Sequence, residues 1–434
     1  MESRDEKYQK FVKDDIDNNK GRLVNCCEEL NYLLAHPQEN AFFQKHYLND
    51  ILTYATLFSP YYKRFREFKG LSDFPIVNKQ FLKDHADEIV VPEYRDILDS
   101  KVKYTSGSTG TPFQMIMDRY KHCRWIAGNK VFRANVGVRS HEKTLYFSGN
   151  VSDKKIPMDR QERDNVYYYN SAHVDDEILN DIINRLQNED FRSLTAMASI
   201  LEILAHYIYD GKAPEWTGNM LAIFSVSEHL KNNVREVISK YFKCPVYVLY
   251  ANEENGVLAV EDGTPNGCRA NDADFYFEVL SMHSDEPAKE GELGRLVITD
   301  LFNKAFPVIR YENGDLVSWK RSEDGKLYFD DIAGRKIDVL YTTDGRMVHY
   351  FYGISFLEQY MDIKQFQLIQ YDYHHFKWVL NTKNHSYEDM IVKNSKEVFG
   401  EDSEWQFEYV DDLPKLRSGK VKMTVCLIPE LNAN

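Results

Sequence analysis

The chain is poor in glycine. Only 21 of its 434 residues are Gly, against roughly 7% in an average protein, so a place where glycines gather carries information. Cysteine is scarce too. The six, Cys26, Cys27, Cys123, Cys244, Cys268 and Cys426, include no C-x-x-C pair, which excludes a disulfide scaffold. Long apolar runs are missing, and none approaches the ~18 residues of a membrane span. The charged opening segment, residues 1–18, resembles no signal peptide. Basic charge is in deficit: 54 Lys and Arg face 68 Asp and Glu, for a net charge of −14. A general polyanion binder needs basic surface to displace counterions, so nucleic acid is not an expected partner; a small anion in a local pocket remains compatible. The expectation is a cytoplasmic protein with no membrane span. What the chain does have is apolar and aromatic residues, 43% and 14%, enough for a sizeable core and against disorder.

Patterning along the chain predicts α/β organisation. The first hundred residues read as mostly helical. Residues 102–104 and 113–117 read as strands around a Ser/Thr/Gly cluster, and helical patterns return near 119–135 and 176–210. Leu221–Val226 is a short apolar run, hence a buried strand. A helix with Leu230, Val234, Val237, Ile238, Tyr241 and Phe242 on one face is expected to start near Ser227-Glu228, and Val246–Tyr250 is a second strand. That is a β-α-β unit of a parallel sheet, where ligands bind at the carboxyl ends of strands. Ser227-Glu228 and Ala251-Asn252-Glu253-Glu254 fall there. From about residue 291 the chain turns β-rich, with hairpin signals at Asn313-Gly314, Asp324-Gly325 and Asp344-Gly345. The tail reads as α+β: strands at 365–371, 376–380, 405–410 and 421–428, and a helix opened by Ser386-x-x-Asp389. Tyr167-Tyr168-Tyr169 reads as strand, and a domain boundary is expected near 334–338.

The segment Tyr104-Thr105-Ser106-Gly107-Ser108-Thr109-Gly110-Thr111-Pro112 is the strongest chemical signal. Its glycines let main-chain N–H groups turn inward as an anion nest, and its hydroxyls add donors for phosphate oxygens. No Lys-Ser/Thr follows the glycine, so it is not a Walker A loop. His349, His374-His375 and His385 lack metal-ligand spacing.

This loop resembles the phosphate-binding loop of the adenylate-forming ligases: acyl-CoA synthetases, luciferases and peptide-synthetase adenylation domains. Four more segments resemble that superfamily's motifs in its order. They are Tyr250-Ala251-Asn252-Glu253-Glu254-Asn255-Gly256, Tyr311-Glu312-Asn313-Gly314-Asp315, Gly334-Arg335, and Leu413-Pro414-Lys415-Leu416-Arg417-Ser418-Gly419-Lys420. Phe113, where many members place Lys, and the short length point to the phenylacetate–CoA ligase and capsule-biosynthesis branch. The resemblance implies a large N-terminal adenylation core, residues 1–334, with mixed sheets, and a small mobile α+β lid domain, residues 335–434.

It also implies roles. Thr105, Ser106, Gly107, Ser108, Thr109 and Gly110 would hold the β- and γ-phosphates of ATP. Glu254 would hold Mg²⁺, a hard cation that takes carboxylate and phosphate oxygens. Asp315 would accept from the ribose hydroxyls, and Arg335 would reach the ribose or a phosphate. Adenine would lie against Ser225–Glu228 and Tyr250, beside Ala251, Asn252 and Glu253. Lys420 would bridge the attacking carboxylate and the α-phosphate. Tyr146, Phe147 and Ser148 would line the acid pocket. The implied activity is ATP-dependent adenylation of a small-molecule carboxylic acid followed by acyl transfer to CoA. An amine or sugar acceptor in capsular polysaccharide biosynthesis is the alternative. A homodimer is common in that branch. Glu253, Ala251, Ile337 and Leu416 depart from the motifs, which leaves a degenerate nucleotide-binding homologue as a third reading.

Overall fold

The computed structural model describes residues 3–95, 101–105, 113–148, 156–170, 174–335, 340–348, 354–414 and 422–428. It opens with the helices Arg4–Asn19, Arg22–Ala35 and Pro37–Phe58. The first is fixed by a capping box: Ser3 accepts from the Glu6 N–H, and Glu6 accepts from the Ser3 N–H. The second buries Leu23, Cys26, Leu30, Leu33 and Leu34, a stripe at helical spacing. That stripe packs with Cys123, Ala127, Val131 and Phe132 of the helix Arg119–Asn135.

Among the described residues, eleven strands form one sheet. Its first five run parallel in the order Val166–Asn170, Thr144–Ser148, Ser193–Met197, Ala222–Val226 and Val246–Asn252. From there the pairing becomes antiparallel, through Gly256–Glu261, Cys268–Ala270, Leu327–Arg335, Tyr311–Arg321, Gly294–Asp300 and Phe275–Leu280. The inner parallel strands Ser193–Met197 and Ala222–Val226 are buried on both faces. Leu145, Phe147, Leu194, Ile223 and Val246 face the helices Asp176–Asn188, Ala198–Tyr209 and Asn232–Phe242. Phe224, Val226 and Leu249 face the two helices described above. Phe224 is fully buried, and truncating such a residue to Ala costs about 3–5 kcal/mol.

Most expected elements are present, with three corrections in the large domain and one at the C-terminal helix. The helical pattern read over 176–210 is interrupted by the strand Ser193–Met197. Five residues in the middle of a sheet show no period that separates them from the flanking helices. The helix after Ala222–Val226 starts at Asn232, because Ser227 adopts φ 72° and the chain turns before Lys231 caps the helix. Asp324-Gly325 and Asp344-Gly345 do sit between paired strands, whereas Asn313-Gly314 lies inside the strand Tyr311–Arg321. There the partner strand pairs Arg295 with Leu316 and Val297 with Glu312, so residues 313–315 bulge opposite one residue.

The C-terminal part is a small α+β domain. Its sheet runs Glu404–Tyr409, His375–Asn381, Gln365–Gln370 and Thr424–Cys426, and the helix Glu388–Phe399 covers it through Ile391 and Phe399 against Phe376, Trp378 and Leu380. Asn384, not Ser386, acts as the cap here: it accepts from the Ser386 N–H and opens the short 3-10 turn His385–Tyr387 that leads into the helix, which has no side-chain cap of its own. The domain touches the large sheet's helices at Glu358. This buried carboxylate meets His229 Nε2 at 2.9 Å and the Asn232 N–H at 3.1 Å, at the positive end of the helix Asn232–Phe242.

Candidate active site

The site grows from the strand where parallel pairing gives way to antiparallel pairing. Val246–Asn252 turns back into Gly256–Glu261 through a tight hairpin, with Asn252 opposite Gly256. Asn252 Oδ1 accepts from the Asn255 N–H at 2.7 Å, an Asx turn. Gly256 has φ 98°, and a Cβ there would lie 2.5 Å from Cδ1 of Trp125. Only glycine satisfies both conditions. This turn leaves Glu253 exposed and sends Glu254 inward, where it is 4% exposed.

The bulge in Tyr311–Arg321 aims a second set of groups at the same edge. Tyr250 donates its hydroxyl to Asp315 Oδ2 at 2.5 Å. Asn313 Nδ2 donates to both Tyr250 Oη and Asp315 Oδ2, each at 2.8 Å, and Asn313 Oδ1 accepts from the Asp315 N–H at 3.0 Å. Burial first, and the Asp315 carboxylate next, hold the Tyr250 phenol well above its ordinary pKa. Tyr250 is therefore a neutral donor that orients Asp315.

Glu254 has a different neighbourhood. Lys79 Nζ lies 3.0 Å from Glu254 Oε1, and the Tyr311 hydroxyl donates to the same oxygen at 3.4 Å. Lys79 opens the helix Lys79–Asp84, capped by the Asn78 side chain. The segment before it is stitched to the bulged strand: the Val77 N–H donates to Arg310 O at 3.0 Å, and the Glu312 N–H donates to Val77 O at 2.8 Å. Around the turn, Asn252 Nδ2 and both side-chain polar atoms of Asn255 are buried with no hydrogen-bond partner. Buried orphans of this kind are costly. A buried carboxylate and a buried amide oxygen on adjacent residues are the oxygen donors that Mg²⁺ prefers, substrate phosphates and water completing its shell. Glu254, with Asn255 Oδ1, would hold it there and supply neutralisation of phosphate charge. Among the described residues no cluster of three His, Cys, Asp or Glu could hold a metal ion alone.

The other expected residues are placed as follows. Ser227 is exposed in the loop after Ala222–Val226. Glu228 Oε2 accepts from the Ser199 N–H at 2.9 Å, so it occupies the N-terminus of the helix Ala198–Tyr209. Ala251 is exposed and Ser225 Oγ is buried without a partner. Tyr146 and Phe147 lie on opposite faces of Thr144–Ser148; Phe147 is in the core, and Tyr146 meets the Tyr168 ring at 5.4 Å. The backbones of Thr105, Ser148 and Arg335 end their strands, Arg335 paired with Asp315. Ser106, Gly107, Ser108, Thr109, Gly110 and Lys420 lie outside the described residues. Sequence reasoning passed over Lys79, Tyr311, Asn313 and, beside Tyr146, Arg133. Asn313 and Tyr311 stand within a motif that was read; Lys79 and Arg133 carried no signal beyond being basic residues on helices.

A parallel half that gives way to antiparallel strands, with a small α+β domain after it, is the adenylate-forming ligase fold. The resemblance read in the sequence is borne out in the fold. A 2-hydroxyisobutyryl-CoA ligase in its postadenylation state, in complex with R3-HIB-AMP, aligns with 90% of each chain at 16% identity and a TM-score of 0.69. The same ligase in its thioesterification state, in complex with 2-HIB-AMP and CoA, aligns with a TM-score of 0.54 over 91% of each chain, again at 16% identity. Sequence similarity adds to this. The chain is 24% identical over 377 residues to protein CapK of Staphylococcus aureus, covering 82% of this chain and 80% of that one. Residues 340–426 match the CapK C-terminal domain.

Proposed function

We propose that this protein is an ATP-dependent, AMP-forming ligase that adenylates a carboxylic acid, releases pyrophosphate and passes the acyl group to an acceptor. The observation that carries the reading is the convergence of two carboxylates near the topological switch: a buried one paired with a lysine (Glu254), and one oriented by Tyr250 and Asn313 (Asp315). Two anions must meet in such a reaction, so fixed donors and positive charge have to be aimed at them. Asp315, clamped by two donors, would receive the ribose hydroxyls. The residues 105–110 would cradle the phosphates, and Lys79 and Lys420 would supply mobile positive charge. Arg335, paired with Asp315 through the backbone, would reach the ribose or a phosphate.

The domain split proposed near 334–338 gives the small domain the role of a lid that alternates between the two half-reactions. Its Glu358 contact fixes the orientation described above. CoA is the acceptor of the first reading. The similarity to CapK over most of the chain favours a second, in which an amine or a sugar hydroxyl takes the acyl group. ATP–pyrophosphate exchange dependent on an acid and on Mg²⁺ tests the first half-reaction. AMP release accelerated by CoA, or instead by amines or sugars, separates the acceptors. Absence of exchange with any acid would leave the degenerate nucleotide-binding reading.

A further inference from the structure

The arginines that the large domain buries all pair with carboxylates, and one half-buried arginine does not. Arg124 pairs with Glu29 and Asp274, Arg269 with Asp272, Arg295 with Asp285 and Glu312, and Arg310 with Glu278. Burying a guanidinium without an anion is expensive, so pairing is what physics requires. Arg133 departs from this pattern. It sits in the last turn of the helix Arg119–Asn135, and its guanidinium lies over the parallel half of the sheet. Nη2 donates to Thr195 Oγ1 at 2.9 Å, and the guanidinium carbon is 4.2 Å from the Phe224 ring centroid. Nη1 is buried with no partner. Among the described residues no carboxylate pairs with it, and the groups that act on it electrostatically are the Tyr146 and Tyr168 phenols. Burial pushes its pKa down to about 10, so it is still a cation at neutral pH.

Its position is informative. Tyr168, Tyr146, Thr195 and Phe224 are paired across four adjacent strands and so share one face of the sheet. Tyr146 and Thr195 each lie two residues before the ends of their strands, Ser148 and Met197. At a rise of ~3.3 Å per residue that is about 7 Å below the carboxyl edge. Arg133, Tyr146 and Tyr168 are each half-buried as residues, while the Nη1 atom itself is covered, so an anion reaches it by displacing the side chains over it.

We propose that Arg133 receives a second, distal carboxylate of the acyl substrate, so that the acid activated here is a dicarboxylate rather than a simple fatty or aryl acid. The reacting carboxylate stays at the edge, and the distal one takes the Nη1 donor while Thr195 holds the other arm of the guanidinium. The depth of Arg133 asks for a short chain between the two groups. The inference rests on the ligase reading for the location of the reacting end; the anion site itself does not.

The test compares matched acids differing only in the distal group: succinate with butyrate, glutarate with pentanoate, adipate with hexanoate. Calorimetric binding to the wild-type chain is expected to favour the dianion of at least one pair by about 10-fold or more, the worth of one charge-assisted hydrogen bond. The preference is expected to collapse toward one in Arg133→Gln and to survive in part in Arg133→Lys. Thr195→Val, which frees the held arm, is expected to weaken it, and keeps the test open if Arg133→Gln does not fold. No preference in the wild type for any pair, or an undiminished one in Arg133→Gln, overturns the proposal. Exchange assays on the same pairs separate the two readings. Dianion preference in binding without exchange keeps the anion site and removes the ligase; exchange with monocarboxylates alone keeps the ligase and removes the anion site.

Discussion

The two halves of the large sheet meet at one strand and handle charge in opposite ways. On the antiparallel side the two site carboxylates are already answered: Asp315 by Tyr250 and Asn313, Glu254 by Lys79 and Tyr311. On the parallel side Arg133 holds a buried donor with nothing to receive it. An answered charge is preorganised, so its geometry does not have to be assembled when a ligand arrives. An unanswered one marks where the ligand must bring the missing charge. In the proposed reaction the first half would serve the nucleotide. The second would serve the acid.

Four substitutions sharpen or break this comparison. The largest effect is expected from Lys420→Ala, which removes the charge proposed to bridge the two anions and should cut acid-dependent exchange by about 10²–10³-fold. Exchange equal to the parent's would show that the residue has no such role. Glu254→Gln comes next. It should weaken Mn²⁺ or Mg²⁺ binding measured in the presence of ATP and slow exchange by about 10²-fold, because one neutral amide replaces the buried carboxylate. Undiminished metal binding would move the metal elsewhere. Gly256→Ala should destabilise the fold by about 1–3 kcal/mol in denaturant unfolding, since both the φ of 98° and the Trp125 ring oppose a side chain. An unchanged midpoint would mean that the turn is not constrained as described.

Asp315→Asn is the mildest of the four. The KM for ATP should rise about 10-fold for the loss of a charged hydrogen bond to the ribose. The same variant carries a titration signature. A carboxylate next to a phenol disfavours the phenolate and raises its pKa, so neutralising Asp315 must lower the Tyr250 pKa, while burial keeps it above the ordinary value. Tyrosine-selective carbon-13 NMR reads this directly. A Tyr250 pKa that stays put would mean that Asp315 does not set it.

How much of this was legible in the sequence depends on how local each feature is. The unit from Ala222 to Asn252 follows from short apolar runs and one amphipathic helix, and it placed Tyr250 and Glu254 at a strand end correctly. The partnership of Tyr250 with Asp315, 65 residues apart, depends on which strands pair, and local patterning carries no such information. Asn313-Gly314 shows the same limit: the dipeptide marks a departure from a regular strand, but only the register of Gly294–Asp300 makes it a bulge rather than a hairpin. Lys79 and Arg133 were out of reach altogether. In a chain with 54 Lys and Arg, a single basic residue on a helix acquires meaning only from what lies across from it. The scarce glycines rewarded attention at Gly256, where a close approach and a left-handed backbone coincide.

Acid-dependent ATP–pyrophosphate exchange by the wild-type chain, run with Mg²⁺ over the matched mono- and dicarboxylates, tests the account most directly. The account predicts exchange that appears only when an acid is added and is fastest with a dicarboxylate. Exchange that stays at background with every acid, while ATP binding is retained, would contradict it.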